Sequence, residues 1–130
     1  MAPQSRVEHR VGMVDVDAVQ INFAVYFRWM DHGFHALLRS LGHPLSSLLA
    51  KGYATPAVDA QCNYLRPVRL DDLVVGTCRF TAAGRSSFVA AHRFEHEGEL
   101  VAEGAIKHVW IAGTPGRAAA LPDWLLDAAR

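Results

Sequence analysis

Val14-Asp15-Val16-Asp17-Ala18-Val19-Gln20-Ile21-Asn22-Phe23 joins the end of a strand pattern to the one long helical pattern in the chain. The fold follows from that junction. Asp15 and Asp17 lie two residues apart, and in extended backbone such residues project to one side. They are therefore expected to face a common space, where like-charge repulsion raises one carboxyl pKa. Asn22 suits the N-cap of the helix that follows. Free N–H groups at a helix start can hold an oxyanion, while a nearby carboxylate attacks a carbonyl or activates water. The same two aspartates would equally serve as a solvated turn.

Downstream, the spacing predicts a helix over Phe23–Leu41. Phe27, Met30, Phe34, Leu37, Leu38 and Leu41 form one apolar stripe, with Asp31, His35 and Arg39 on another face. Gly42 and Pro44 supply the stop signal. At 1.5 Å per residue the helix is about 28 Å long, so it should be central. Gly33 inside it costs about 1 kcal/mol relative to alanine, which points to something packed against the backbone. Upstream, Arg6–Val14 partly alternates and reads as a strand after a loose tail, residues 1–5.

Beyond the helix, Pro44–Lys51 reads as a short helix or turn, and Thr55-Pro56 breaks the pattern. Strands are predicted over Ala57–Leu65, Leu73–Ala82, Ser87–Glu95 and Leu100–Ala112. Turns at Asp71-Asp72, Gly84-Arg85 and Glu97-Gly98 separate these four, the spacing of an antiparallel meander. A C-terminal extension over 114–130 carries a short helix near Leu121–Ala129. The order β-α-β-β-β-β over residues 1–130 implies one α+β domain, because a one-faced helix needs a sheet to cover it. Two architectures share that order: the hotdog, in which an antiparallel sheet wraps a long central helix, and the cystatin-like fold. The Gln-x-Val-x-Gly hairpin of cystatins is absent.

The chain of 130 residues is 51% hydrophobic and carries 13 Lys+Arg against 13 Asp+Glu. Such balance offers no electrostatic footprint for nucleic acid or an anionic membrane. Neither a signal-peptide run nor an apolar stretch approaching the ~20 residues of a membrane span occurs, so a cytoplasmic protein is expected. Cys62 and Cys78 form no C-x-x-C pair and read as buried thiols, with a disulfide left open. His32 and His35 have a metal-compatible spacing, but no further ligand joins them, and no metal is expected. His92, His96 and His108 sit on late strands as polar or interface residues. Ser86 and Ser87 lack a G-x-S-x-G elbow. Arg66, Arg69 and Arg85 lie at strand ends, where arginine forks suit phosphates or simply solvate the surface.

Assembled, these parts resemble the hotdog-fold acyl-CoA thioesterases, specifically the 4-hydroxybenzoyl-CoA thioesterase-like family. Three pieces carry the resemblance. They are Asp15-Val16-Asp17 before the aromatic helix start Asn22-Phe23-Ala24-Val25-Tyr26-Phe27, the segment Tyr64-Leu65-Arg66-Pro67-Val68-Arg69-Leu70-Asp71-Asp72, and the hairpin Gly84-Arg85-Ser86-Ser87-Phe88. The resemblance implies that Asp17 is the catalytic carboxylate, with Asp15 in reserve, and that the backbone N–H near Phe23 is the oxyanion donor. It also implies that Arg85, Ser87 and Arg66 meet coenzyme A, and that Asp31, Tyr26 and Thr55 line the acyl pocket. The substrate is then an aromatic, 4-hydroxybenzoyl-like acyl-CoA. No cofactor is implied beyond coenzyme A within the substrate, and the chain is implied to form a homodimer or homotetramer with its pocket between subunits. In this chain the loop Ala18-Val19-Gln20-Ile21 lacks the glycine usual in the family. A short-chain aliphatic thioesterase, a non-catalytic acyl-binding hotdog protein and a monomeric interaction module are the alternatives.

Overall fold

In a computed structural model that describes residues 2–17 and 20–130, a single long helix lies against one face of a five-stranded antiparallel sheet. The strands are β1 (Ser5–Arg10), β2 (Ala57–Tyr64), β3 (Leu73–Thr81), β4 (Ser87–His96) and β5 (Glu99–Val109). Their order across the sheet is β1-β3-β4-β5-β2, with every neighbouring pair antiparallel. This is the α+β hotdog arrangement expected above. The helices are α1 (Val25–Ser40), α2 (Leu45–Ala50) and α3 (Asp123–Ala128). None of the described helices is long and apolar enough to cross a membrane.

Alternation builds the sheet's inner face. Val74, Cys78 and Phe80 of β3, with Phe88, Ala90, His92 and Phe94 of β4, are buried, while their neighbours are partly or fully exposed. Against them α1 buries Tyr26, Trp29, Met30, Gly33, Phe34, Leu37 and Leu38. Two apolar clusters result. One gathers around Tyr26, Trp29, Met30 and Phe94, the other around Phe34, Leu37, Phe80, Phe88 and Trp110. At Gly33 the helix comes closest to the sheet, for an added Cβ would stand 3.4 Å from Cys78 Cβ. The predicted close approach at this glycine is therefore real.

The helix start differs from the sequence reading. The regular helix begins at Val25, with Ala24 as its cap residue, and Asn22 instead accepts the Ala24 N–H through Oδ1 at 2.9 Å. Asparagine readily makes such a local turn in place of a cap. Phe27 is only half-buried, because the buried face is centred on Tyr26 and Trp29. The C-terminal end follows the expected pattern, with Gly42 at φ +85°. Its N–H donates to Arg39 O at 3.0 Å and that of His43 to Leu38 O at 2.9 Å, a Schellman motif.

Two strand boundaries also move. The first strand starts at Ser5, within the supposed tail, and the Ser5 hydroxyl donates to Gly33 O at 2.7 Å. It ends at Arg10 because Gly12–Asp15 closes a tight turn, with the Asp15 N–H donating to Gly12 O at 3.0 Å. The last strand ends at Val109. Beyond it Ile111–Ala112 leaves the main sheet to pair with Tyr53–Ala54 and Arg117–Ala118.

Gly104, on β5, has no space for a side chain: a Cβ there would lie 2.2 Å from Met30 Cε and 2.7 Å from the backbone oxygen of Gln61. The methionine can swing away, but the carbonyl belongs to the paired strand β2. Gly104→Ala is expected to lower stability by about 1–3 kcal/mol, read as a shift in the urea midpoint; an unchanged midpoint would contradict this packing.

Candidate active site

The two aspartates occupy different environments. Asp15 ends the tight turn after β1 and is buried, the residue being 5% exposed. Gly12 N–H donates to its Oδ2 at 2.9 Å, and Arg28 Nη2 of α1 donates to its Oδ1. Both oxygens are thus engaged. Asp17 is exposed and lies in a short antiparallel pairing of Val16–Asp17 with Gln20–Ile21, in which Asp17 stands opposite Gln20. Val16 and Ile21 turn toward the core, so alternation sends Asp17 and Gln20 outward. The expected sharing of one face fails because Asp15 belongs to a tight turn, not to extended backbone. The glycine-free segment Ala18-Val19 lies outside the described residues.

From Asn22 to Ala24 the backbone polar groups can be accounted for one by one. Asn22 N–H donates to Asp15 O at 2.7 Å, and Asn22 O accepts from Val25 N–H at 3.1 Å. Phe23 O accepts from the Tyr64 hydroxyl at 2.8 Å. Ala24 N–H donates to Asn22 Oδ1 at 2.9 Å, and Ala24 O accepts from Phe27 N–H at 3.1 Å. Among the described residues the Phe23 N–H has no partner. It stands at the positive end of α1 on a residue that is 66% exposed.

A cavity of about 320 Å³ opens beside this turn, lined by Gln20, Ile21, Phe23, Tyr26, Tyr64, Leu65, Arg66 and Pro67. That size is at the lower end for a ligand pocket, and three aromatic rings give it an apolar wall. Tyr26 is 1% exposed with no hydrogen-bond partner for its hydroxyl among the described residues, and burial, then Cys62 and Tyr64, pushes its pKa up. Arg66 is exposed at the rim, 3.3 Å from Glu99.

The remaining candidates lie in other places. Asp31 is exposed on α1 and pairs with His35 at 3.3 Å. Thr55 offers its carbonyl to His108 Nδ1–H at 2.9 Å. Arg85 is exposed in the loop between β3 and β4, and the half-buried Ser87 opens β4, with Gly84 N–H donating to Ser87 O at 2.7 Å. His32 does not converge with His35, facing His9 instead at a ring distance of 5.7 Å. Both cysteines are free thiols, and burial raises the Cys78 pKa to about 12. One chain therefore unites the helix start, Tyr26 and Arg66, but not Asp31, Thr55, Arg85 or Ser87.

Two side chains at this site were not singled out from the sequence. Arg28 is separated from Asp15 by the whole hairpin, and only the docking of α1 brings them together. Tyr64 heads the Tyr64-Leu65-Arg66-Pro67 segment, a position that marked it as part of a motif without indicating what its hydroxyl would touch.

Known proteins are similar to this chain in architecture and in sequence. The family model of the thioesterase superfamily matches residues 20–103. A candidate acyl-CoA thioesterase of Bacillus subtilis (strain 168) is 28% identical over 126 residues, covering 92% of this chain and 91% of that protein. A 1,4-dihydroxy-2-naphthoyl-CoA hydrolase of Synechococcus sp. (strain WH7803) is 28% identical over 127 residues, covering 91% and 83%. Among solved structures, a gentisyl-coenzyme A thioesterase superposes with a TM-score of 0.84 at 29% identity, covering 93% of this chain and 98% of that one.

Proposed function

The chain belongs to the thioesterase superfamily and is an acyl-CoA thioester hydrolase; from that premise we propose that it acts on hydroxyaryl-CoA substrates through Asp17 and the Phe23 N–H. The observation that carries this reading is the turn Asn22–Ala24, whose unpartnered donor opens beside an aromatic cavity. A thioester carbonyl set against that N–H gains stabilisation as its oxygen becomes anionic. Asp17, as the carboxylate, attacks the carbonyl carbon or takes a proton from the water that does. The tetrahedral intermediate collapses by expelling the coenzyme A thiolate, which leaves readily; on the water route this gives the free acid directly, and on the direct route it leaves an Asp17–acyl anhydride that a water then cleaves to the acid and the free carboxylate.

Two relatives with hydroxyaryl substrates support the aromatic acyl group, as does the wall formed by Phe23, Tyr26 and Tyr64. Asp15 is an anchor in this reading, since its oxygens already hold Gly12 and Arg28. Strand β2 pairs with β5 on one side only and exposes nearly every residue, including Val58 at 58% and Tyr64 at 46%. An open edge of this kind is a template for pairing with another chain. A second copy there forms the dimer of the proposal, bringing Asp31, Thr55, Arg85 and Ser87 of one subunit toward the helix start of the other.

Substrate class is tested with 4-hydroxybenzoyl-CoA, benzoyl-CoA and short aliphatic acyl-CoAs side by side. An aryl ring that buries about 100 Å² more apolar surface than a short chain gains roughly 2.5 kcal/mol. The kcat/KM for the aryl esters should therefore exceed that for the aliphatic ones by about tenfold or more. Preference for a short aliphatic ester would overturn the aryl assignment.

A further inference from the structure

Resting on the reading of the Phe23 N–H as oxyanion donor, we propose that Tyr64 and Asn22 are positioning residues that clamp the next peptide, Phe23–Ala24, and so aim that donor. The two side chains hold opposite ends of one peptide unit. The Tyr64 hydroxyl donates to its carbonyl at 2.8 Å, and Asn22 Oδ1 accepts from its N–H at 2.9 Å. Tyr64 comes from the end of β2, 41 residues along the chain, so this bond ties the helix start to the sheet edge. The Phe23 N–H lies across a single residue from the clamped peptide. Rotation of that peptide turns Phe23 about its two soft dihedrals and swings the donor.

Local structure alone leaves this turn under-held. Phe23 sits before the first residue of α1, so no regular helix ladder fixes its carbonyl. The residue is 66% exposed, so its side chain gives little packing restraint. Donors that stabilise a transition state act through preorganisation, within roughly 0.5 Å and 10–20° of the productive geometry. Removal of one complete donor costs about 10²–10³ in kcat, so loosening its support should cost a fraction of that, roughly tenfold. The phenol also stands beside the cavity mouth next to Tyr26, at a ring distance of 5.7 Å. Its ring can line the pocket while its hydroxyl is spent on the backbone.

The test uses the full-length protein and the aryl-CoA ester that the wild type turns over fastest. Tyr64→Phe keeps the ring and removes the bond. It is expected to lower kcat about tenfold with KM within about twofold of wild type. Asn22→Ala should do the same, and Asn22→Ser, which retains a local acceptor, should recover part of the loss. Because both hold one peptide, the double variant should lose less than the product of the two single losses. Wild-type kcat in Tyr64→Phe overturns the proposal. So does a rise in KM alone, which would make the hydroxyl a substrate contact, and so do fully multiplicative losses. Phe23→Pro, which removes the donor itself, separates the two levels. An unchanged kcat there removes the oxyanion reading altogether, whereas a loss of about 10²–10³ beside an active Tyr64→Phe removes only the clamp.

Discussion

Asp17→Asn is expected to lower kcat for acyl-CoA hydrolysis by about 10²–10⁴, the range of a lost general base, while leaving the thermal midpoint unchanged. The substitution keeps the side chain's shape and removes only its charge and basicity. Asp17 is exposed and enters no ion pair among the described residues, so the fold loses nothing measurable. Asp15→Asn should behave in the opposite way. There a buried carboxylate uses one oxygen for Gly12 N–H and the other for Arg28, and an amide retains only one acceptor oxygen. Loss of a hydrogen bond to a charged group costs on the order of 1.5–3 kcal/mol, so the midpoint should fall while kcat stays within about tenfold. Steady-state kinetics and thermal melts on both variants decide the matter. If Asp15→Asn lost activity and Asp17→Asn kept it, the two roles would have to be exchanged.

Acid should destabilise the protein steeply below pH 6.5, through two imidazoles beneath α1. His9 is 7% exposed and stacked 4.7 Å from Trp29; burial, then His32, brings its pKa down to about 4, with Asp15 pulling the other way and Arg28 adding to the fall. His92 is 2% exposed with Cys78 Sγ at 3.9 Å, and burial, then His108, brings it also to about 4. In the unfolded chain both rings titrate near 6.5. Above that value both states hold the rings neutral and the folded state keeps its full stability. Between pH 6.5 and about 4 the unfolded chain binds protons that the folded chain refuses, and stability is lost as pH falls. Near pH 4 the loss is on the order of 3 kcal/mol for each ring, against a typical total of about 5–15 kcal/mol. Urea midpoints should therefore hold level from pH 7.5 to about 6.5 and drop from there down to pH 4.5. A flat profile over that interval would show that the rings are not held neutral inside the fold.

Periodicity made most of the architecture legible. The apolar stripe of α1, the Gly42 stop and the meander of late strands are local patterns, each set by 3.6- or 2-residue repetition and by turn residues. Two of the boundaries that moved, at Ser5 and Val109, are places where a partner distant in sequence ends or extends an element, whereas the helix start at Val25 follows from the local turn of Asn22. Ser5 joins β1 because Gly33 accepts its hydroxyl, and β5 stops where Ile111–Ala112 finds Tyr53–Ala54. No local pattern records such partners.

For the chemistry, the sequence by itself determined the ingredients: two aspartates before a helix, an aromatic helix start, and a family resemblance that the match over residues 20–103 bears out. Only the tertiary structure separated the aspartates. One is turned inward because the docking of α1 carries Arg28 to it, and the other outward because Val16 and Ile21 take the core side of the hairpin. Nor does the sequence reveal that, among the described residues, every backbone polar group from Asn22 to Ala24 is paired except the Phe23 N–H, since Tyr64 reaches that turn from the sheet edge. Hydrophobic spacing is a one-dimensional property and can be read along the chain. Which charge is neutralised and which donor stays unpaired depends on groups far apart in sequence meeting within about 3 Å, and only the folded chain brings them together.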